Sequence, residues 1–294
     1  MIVVTTPTGT IGSQVLDRLL AAGEPVRVIA RRPERLPDRV RDSVEVVAGS
    51  HGDPDVVTKA FAGADAVFWL APPNPAAATV NAPYLDFARP AAEAIRSQGV
   101  RRVVSVSALG RGTPMAANAG LVTASLAMDD LIASTGVAFR ALALPGFMDN
   151  MLRQVTSIRG QGMFVSTFPG ERRLPTCATR DIAAAAAGLL RDDSWSGQDS
   201  VAVLGPEDLS GEDMARIMTD VLGRPIRFQR VPTEAYHGVL VAQGWSAPMA
   251  QAMIDMVAAK DAGLDDAEPR TPASTSPTGF RQWCEEVLRP AVEG

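Results

Sequence analysis

Short apolar runs alternate along the first half of the chain with segments whose apolar positions recur every three or four residues. The runs are typical of buried strands, and the longer repeat indicates amphipathic helices. Strands are predicted over residues 2–5, 26–30, 44–48, 64–70, 103–106 and 138–144, and helices over 11–22, 56–61, 84–98 and 124–134. This order of elements predicts an α/β fold with a doubly wound parallel sheet, right-handed crossovers and helices on both faces.

The second half of the chain mixes helical and strand-like patterns. Ser210 and Asp213 form a predicted capping box that opens a helix ending near residue 222. Residues 200–204 are predicted as a strand that returns to the same sheet, and 268–277, rich in Pro, Ser and Thr, as a loop. A further strand is predicted over 226–231, and helices over 181–190, 234–243, 247–259 and 280–288.

The turn between the first strand and the first helix, TPTGTIG at 6–12, carries the clearest functional signal. Its spacing matches a GxxGxxG dinucleotide fingerprint, and the strand before it and the helix after it supply the context that such a motif needs. Gly9 would let the backbone approach a pyrophosphate, Gly12 would let the helix pack closely on the sheet, and Thr10 could add a hydroxyl donor. The residues assigned to this site are Thr6, Thr8, Gly9, Thr10, Ile11 and Gly12.

Thr6 stands where the first glycine of the fingerprint would be. Because proline favours an extended conformation in the residue before it, we expect Pro7 to hold Thr6 extended, so that the pair prolongs the strand. The alternative to a cofactor site is an ordinary Pro/Gly turn.

Arg31 and Arg32 follow the second strand, where an NAD enzyme would carry an acidic residue for the ribose hydroxyls. No acidic residue occurs from 26 to 33. A guanidinium there suits a 2′-phosphate, so NADP(H) is favoured as cofactor and NAD(H) is the alternative. The two arginines could also be an ordinary solvated basic pair with no ligand.

The ends of the later strands should flank the ribose and nicotinamide, because ligands of such sheets lie beyond the carboxyl ends of the strands. Ser107 is the candidate catalytic residue, since its hydroxyl could donate a hydrogen bond to a substrate oxygen. The alternative is that it caps backbone or orders a water. The remaining positions assigned to the cofactor are Ser50, Leu70, Ala71, Pro72, Ser105 and Pro145.

Composition narrows the class of protein. The 294 residues, 46% hydrophobic and 21% charged, suit a globular chain, and the net charge of −5 argues against a nucleic-acid partner. The apolar run 182–190 is too short to span a bilayer and no charged leader precedes the first strand, so we expect a cytoplasmic protein with no membrane partner. Cys177 and Cys284 are expected as reduced thiols, and two isolated histidines indicate no metal site.

Tyrosine and lysine are scarce enough to exclude one mechanism. The only tyrosines are Tyr84 and Tyr236, and the only lysines are Lys59 and Lys260. No tyrosine has a lysine four residues later, so a mechanism that needs Tyr and Lys one helical turn apart is ruled out.

Several further motifs keep a specific order and spacing. They are SALG at 107–110, GFMDN at 146–150, ATRDIA at 178–183, GPE at 205–207 and LGRP at 222–225. Together with the N-terminal turn, they resemble the NmrA-like family of atypical short-chain dehydrogenases/reductases, in particular its bacterial NADPH-dependent quinone-reductase-like members. The similarity runs over nearly the whole chain.

The resemblance implies a Rossmann-type dinucleotide-binding domain over 1–145 plus about 178–205. It also implies a smaller, mixed α/β C-terminal substrate domain over 146–177 plus about 206–294, with the active cleft between the two. The chain departs from the family pattern at Thr6 and at Ser50, where an Asp near the adenine is common. Residues 121–125 read LVTAS where a standard short-chain dehydrogenase carries Tyr-x-x-x-Lys.

Quinones and related conjugated acceptors are better electrophiles than ordinary ketones, and they need less help from a placed proton donor. The leading hypothesis is therefore an NADPH-dependent reductase of a small quinone-like or aromatic acceptor; a homodimer is compatible with it. The alternatives are a non-catalytic NADP(H) sensor with a protein partner and a tailoring oxidoreductase of an aromatic metabolite. The candidate substrate-binding residues are Phe147, Met148, Asn150, Met151, Tyr236 and Trp245. For the apolar residues among them, the alternative role is hydrophobic packing inside the protein.

Overall fold

A computed structural model describes residues 1–294. The first half of the chain alternates strands and helices as its periodicity predicts. Its elements are β1 (Ile2–Val4), α1 (Thr10–Ala21), β2 (Val26–Ala30), α2 (Asp38–Arg41), β3 (Glu45–Ala48), α3 (Pro54–Phe61), β4 (Ala66–Trp69), α4 (Phe87–Gln98), β5 (Arg102–Val106), α5 (Leu121–Ala133) and β6 (Ala138–Ala143).

Short strands and helices make up the rest of the chain. They are β7 (Gly146–Phe147), α6 (Val155–Gln161), β8 (Met163–Ser166), β9 (Leu174–Cys177), α7 (Thr179–Arg191), β10 (Gln198–Ala202), β11 (Asp208–Leu209), α8 (Gly211–Leu222), β12 (Arg227–Arg230), α9 (Thr233–Ala242), α10 (Ala247–Asp261), α11 (Phe280–Trp283) and α12 (Arg289–Glu293). No helix is both long and apolar enough to cross a membrane.

Seven strands form the main sheet in the order β10-β6-β5-β4-β1-β2-β3. β1 pairs in parallel with β2 on one side and with β4 on the other, so that Ile2 lies opposite both Val26 and Ala66. The chain runs outward from β1 to β3 and then returns to β4 on the opposite side. This reversal creates a crevice at the carboxyl ends of β1 and β4, which is where sheets of this type bind ligands.

Two compact units divide the chain. Unit 1 comprises Met1–Ala108, Ala124–Ala143 and Ile182–Val201, and unit 2 comprises Leu109–Thr123, Leu144–Asp181 and Ala202–Gly294. Residues 109–123, 144–145, 178–181 and 202–205, which were predicted in the cofactor domain, lie in unit 2 of this division. The functional roles of the two predicted domains stay predictions.

Each unit has its own hydrophobic core. That of unit 1 is built from strand residues and the helix faces that cover them, and it includes Val3, Ile29, Val67, Trp69, Ile95, Val103, Ile132 and Phe139. In unit 2 a three-stranded sheet, β11-β9-β7, and a two-stranded sheet, β12-β8, accompany the helices. The core of unit 2 includes Met148, Ile158, Phe164, Met218, Phe280 and Trp283.

Most predicted elements are confirmed, with ends that move by one to three residues. The strand predicted over 200–204 is β10 (Gln198–Ala202), because the chain leaves the sheet after Ala202. Leu204 instead exchanges backbone hydrogen bonds with the loop 268–277, donating to Ser274 O at 2.8 Å and accepting from Ser276 N at 2.6 Å. The helix predicted over 84–98 is α4 preceded by a wider π-helical turn, Ala82–Asp86.

Candidate nucleotide-binding site

Thr5 ties the carboxyl ends of β1 and β4 together. Its hydroxyl donates to Phe68 O at 3.0 Å and accepts from Leu70 N at 3.0 Å, and its backbone N–H also donates to Phe68 O at 3.2 Å. Because Thr5 is fully buried, these bonds satisfy polar groups that water cannot reach. The turn after β1 therefore begins from a fixed point at the crevice.

Thr6 corrects the expectation of an extended residue. Its φ is +49°, and no other residue apart from glycine has a positive φ. The Thr6 carbonyl accepts the Gly9 N–H at 2.9 Å, so the chain reverses at once where it was predicted to prolong the strand. The hydrogen bond that closes this turn outweighs the preference of a residue before proline for an extended conformation. It holds Thr6 in the left-handed region, which is unfavourable for a β-branched side chain. A glycine at this place in the fingerprint would adopt it without strain.

The first turn of α1 is the part of the crevice suited to an anion. The helix begins at Thr10 with Gly9 as N-cap, and Gly9 offers no side chain to accept a hydrogen bond from the first amides. No acidic residue lies in this turn. The turn itself therefore supplies no side-chain cap and no carboxylate to offset the positive end of the helix dipole.

Gly12 brings α1 close to the turn. A Cβ at Gly12 would lie 2.1 Å from Thr6 O, whereas one at Gly9 would lie 3.3 Å from the same atom. Only glycine fits at position 12 without displacing the Thr6 carbonyl. Thr8 and Thr10 are exposed, while the Ile11 side chain is buried, so its backbone alone faces a ligand.

The ends of β2 and β3 carry the residues predicted for the adenosine half of the cofactor. Arg31 and Arg32 directly follow β2, and both are exposed. Ser50, which follows β3 closely, is half-buried and its hydroxyl accepts the Gly52 N–H at 3.2 Å. The two guanidinium groups are free to swing toward an anion at the edge of the sheet.

His51 is a site residue that the sequence analysis considered only as a metal ligand. Its Nε2–H donates to Leu70 O at 3.0 Å, and its ring meets Trp69 and Phe87 edge-on, with centroids 5.1 and 4.8 Å away. Burial lowers the pKa of His51 from 6.5 to about 4, and the Arg31 charge lowers it further while the bond to Leu70 opposes the shift. The neutral ring joins the loops after β3 and β4 through Leu70, which with Ala71 and Pro72 forms a half-buried segment.

Ser105 and Ser107, at the end of β5, are both buried and share a carboxylate. The Ser107 hydroxyl donates to Asp129 Oδ2, and the Ser105 hydroxyl makes a longer bond of 3.4 Å to Asp129 Oδ1. Asp129 lies on α5 and is fully buried. Asp129 was not predicted as a site residue, although an acidic residue between the buried Met128 and Ile132 was a usable signal.

The predicted substrate-binding residues all lie in unit 2. Met148 is buried in the core of that unit, Asn150 is exposed, and Phe147 and Met151 are half-buried. On and beside α9, Tyr236 and Trp245 are also half-buried; burial raises the pKa of Tyr236, which the nearby Arg153 charge partly opposes. Pro145, assigned to the cofactor, is buried just before β7. Their contact with any ligand stays a prediction.

The comparisons with known proteins agree with this geometry. The sequence profile of a family described as NAD(P)H-binding matches residues 7–193. A (4-alkanoyl-5-oxo-2,5-dihydrofuran-3-yl)methyl phosphate reductase of Streptomyces griseus is 33% identical over 254 residues, covering 86% of this chain and 85% of the relative. An NAD(P)H azoreductase of Xenophilus azovorans is 27% identical over 258 residues, covering 88% and 86%.

Solved structures share the fold at low sequence identity. The triphenylmethane reductase of Citrobacter sp. complexed with NADP(H) superposes with a TM-score of 0.78 at 20% identity, over 99% of this chain and 98% of that one. The NADPH-dependent quinone oxidoreductase of Escherichia coli complexed with NADPH gives 0.79 at 20% identity, over 98% and 99%. The chain therefore belongs to the NAD(P)H-binding family, and its resemblance to the NmrA-like atypical short-chain dehydrogenases/reductases is confirmed.

Proposed function

We propose that the protein is an NADPH-dependent reductase of quinone-like or other conjugated aromatic acceptors, with unit 1 holding the cofactor. The observation that carries this proposal is the uncapped first turn of α1, set at the reversal of strand order. Both the helix end and the close approach at Gly12 suit the pyrophosphate of a dinucleotide.

Arg31 supports the phosphorylated form of the cofactor. It is exposed directly after β2, and it can form charge-assisted bonds with a 2′-phosphate that NADH lacks. Replacing Arg31 with Ala should weaken NADPH binding about 10-fold or more and leave NADH binding nearly unchanged, as measured by calorimetry. The matched control is Arg35→Ala, an exposed arginine four residues further on. Equal losses for both cofactors would remove the case for NADPH.

The proposed acceptor class rests on the proton donors that the chain lacks. Bound NADPH supplies hydride, and the protein must orient the acceptor and manage the charge that develops on it. The Lys260 ammonium is engaged in an ion pair, with its Nζ 2.5 Å from the buried Asp265 carboxylate, and Lys59 is exposed on α3. A conjugated acceptor that delocalises this charge needs no Tyr/Lys pair.

Unit 2 offers surfaces suited to such an acceptor. Phe147, Met151, Tyr236 and Trp245 are each half-buried, so that part of each apolar side chain is open to a flat ligand. The exposed Asn150 amide would add a hydrogen bond, and Met148 would support the pocket from the core. The reduction of azo, quinone and triphenylmethane compounds by similar proteins supports the same class.

A cofactor-sensing protein is the second candidate. It is favoured by the Ser107 hydroxyl, whose only proton is donated to Asp129, so the crevice presents no evident acid. Mixing the purified protein with NADPH and a panel of quinones, while following the absorbance of the reduced nicotinamide, separates the two candidates. We expect acceptor-dependent oxidation of NADPH. Tight NADPH binding with no turnover of any acceptor would favour the sensor.

A further inference from the structure

Ser107 and Asp129 form a buried pair next to the crevice that no catalytic role yet explains. Ser105 and Ser107 are two residues apart, so their side chains leave β5 on the same side, toward α5. There the fully buried Asp129 accepts a hydrogen bond from each hydroxyl. The short bond to Asp129 fixes the direction of the Ser107 hydroxyl, whereas the Ser105 hydroxyl lies 3.4 Å from both Asp129 Oδ1 and Val106 O.

The direction of the Ser107 bond has a chemical consequence. A serine hydroxyl has one proton and two lone pairs, and an ionised carboxylate can only accept. Since the Ser107 proton is donated to Asp129, the hydroxyl can only accept a hydrogen bond from a ligand. This is the opposite of the donor role that the sequence analysis assigned to Ser107.

The strand order identifies the ligand group that would meet this acceptor. β1 lies between β2 and β3 on one side and β4 and β5 on the other. A dinucleotide with its pyrophosphate at Gly9 and its adenosine half beside Arg31 must extend its other half toward β4 and β5. That half carries N–H and O–H donors, namely the nicotinamide carboxamide and the adjoining ribose hydroxyls.

We propose that Asp129 is a positioning residue that fixes the Ser107 hydroxyl as a hydrogen-bond acceptor for the nicotinamide end of NADPH. The inference rests on the proposed function, because it needs the cofactor to lie across the crevice. In this proposal Asp129 acts on cofactor binding through the orientation of the Ser107 hydroxyl, without touching the cofactor.

The test compares whole and half cofactor by calorimetry. NADPH probes both halves, whereas adenosine 2′,5′-bisphosphate probes the adenosine half alone. We expect Ser107→Ala and Asp129→Ala each to weaken NADPH binding about 3- to 10-fold, as loss of one hydrogen bond does, and to leave bisphosphate binding unchanged. The double variant should lose no more than either single variant, because the two residues act as one unit.

Two controls separate orientation from charge and from folding. Asp129→Asn keeps an oxygen that can accept the Ser107 proton, so it should bind NADPH nearly as the native protein does. Asp130→Asn removes the neighbouring exposed carboxylate and should change neither affinity. Bisphosphate binding and the melting temperature show whether each variant is folded.

Several results would overturn the inference. If Ser107→Ala binds NADPH with native affinity, Ser107 is not the proposed acceptor. This test keeps Asp129 in place, so it stands even if Asp129→Ala does not fold. An equal loss for NADPH and the bisphosphate would indicate general damage, and an Asp129→Asn variant as weak as Asp129→Ala would show that charge decides. If the native protein binds neither probe, the proposed function itself fails.

Discussion

Replacement of Gly12 by Ala tests how closely α1 must approach the turn after β1. The added Cβ would lie 2.1 Å from Thr6 O and 2.8 Å from Thr6 C, so the helix and the turn must separate by about 1 Å to reach an ordinary contact. The Thr6 carbonyl is itself held by the Gly9 N–H at 2.9 Å, which leaves it little freedom to move.

The expected cost combines two opposing effects. Overpacking of a close contact costs about 1–3 kcal/mol, and alanine in place of glycine within a helix recovers up to about 1 kcal/mol. The obstacle is backbone and not a flexible side chain, so we expect a net loss of about 2 kcal/mol from the free energy of unfolding. NADPH affinity should fall as well, because the separation moves the amides of the first helical turn.

Gly9→Ala is the matched control. Its Cβ would lie 3.3 Å from Thr6 O, and its φ of −83° is open to any residue, so the loss of stability should stay below about 1 kcal/mol, the cost of alanine at an N-cap. The methyl group would instead obstruct the pyrophosphate. Urea unfolding and calorimetry with NADPH should thus show that both variants lose affinity, and that Gly12→Ala loses clearly more stability than Gly9→Ala. A Gly12→Ala protein with native stability and native affinity would refute the reasoning.

Three further predictions concern single residues. Thr6→Gly should raise the melting temperature slightly. It relieves about 1–2 kcal/mol of backbone strain in the left-handed region, which exceeds the roughly 0.5–1 kcal/mol that the extra chain entropy of glycine gives the unfolded state. A lower melting temperature would show that Thr6 is unstrained. Folding lowers the pKa of His51 from 6.5 to about 4, so between these values the unfolded chain binds a proton that the folded protein does not. The free energy of unfolding is therefore highest above pH 6.5 and falls by about 3 kcal/mol as the pH falls toward 4. Urea titrations of His51→Phe should show a shallower loss over that range. Asp149 accepts hydrogen bonds of 2.9 and 2.8 Å from the Thr179 N–H and hydroxyl at the start of α7. Asp149→Ala should therefore lower the free energy of unfolding, measured in urea, by about 1–2 kcal/mol. The control, Asp193→Ala at an exposed position, should not change it measurably.

Local patterns predicted the elements well where each element is long or has a clear end signal. β2 is found at the predicted residues, and α8 begins with the predicted capping box, in which Ser210 and Asp213 each accept a backbone N–H of the other. Residues 146–177 received no predicted element, yet they contain β7, α6, β8 and β9. These are two to seven residues long, which is too short for periodicity to be evident.

The candidate site was predicted in part. The turn at 6–12 and the arginines after β2 lie at the carboxyl edge of the sheet, as expected. The conformation of Thr6 was wrong, and the structural role of His51 and the whole of Asp129 were missed. Each depends on a partner that propensity cannot supply, since His51 meets Leu70 and Ser107 meets Asp129 only after separate strands and helices have packed.

The sequence by itself determined the order of strands and helices, the glycine-containing turn and the charges beside it, because periodicity, capping and turn chemistry act between near neighbours. The tertiary structure alone decided that Thr6 takes a left-handed conformation, that His51 is neutral, and that Ser107 gives its proton to a buried carboxylate. Those outcomes depend on burial and on hydrogen bonds between distant segments, and their energies exceed the local preferences that a sequence reveals.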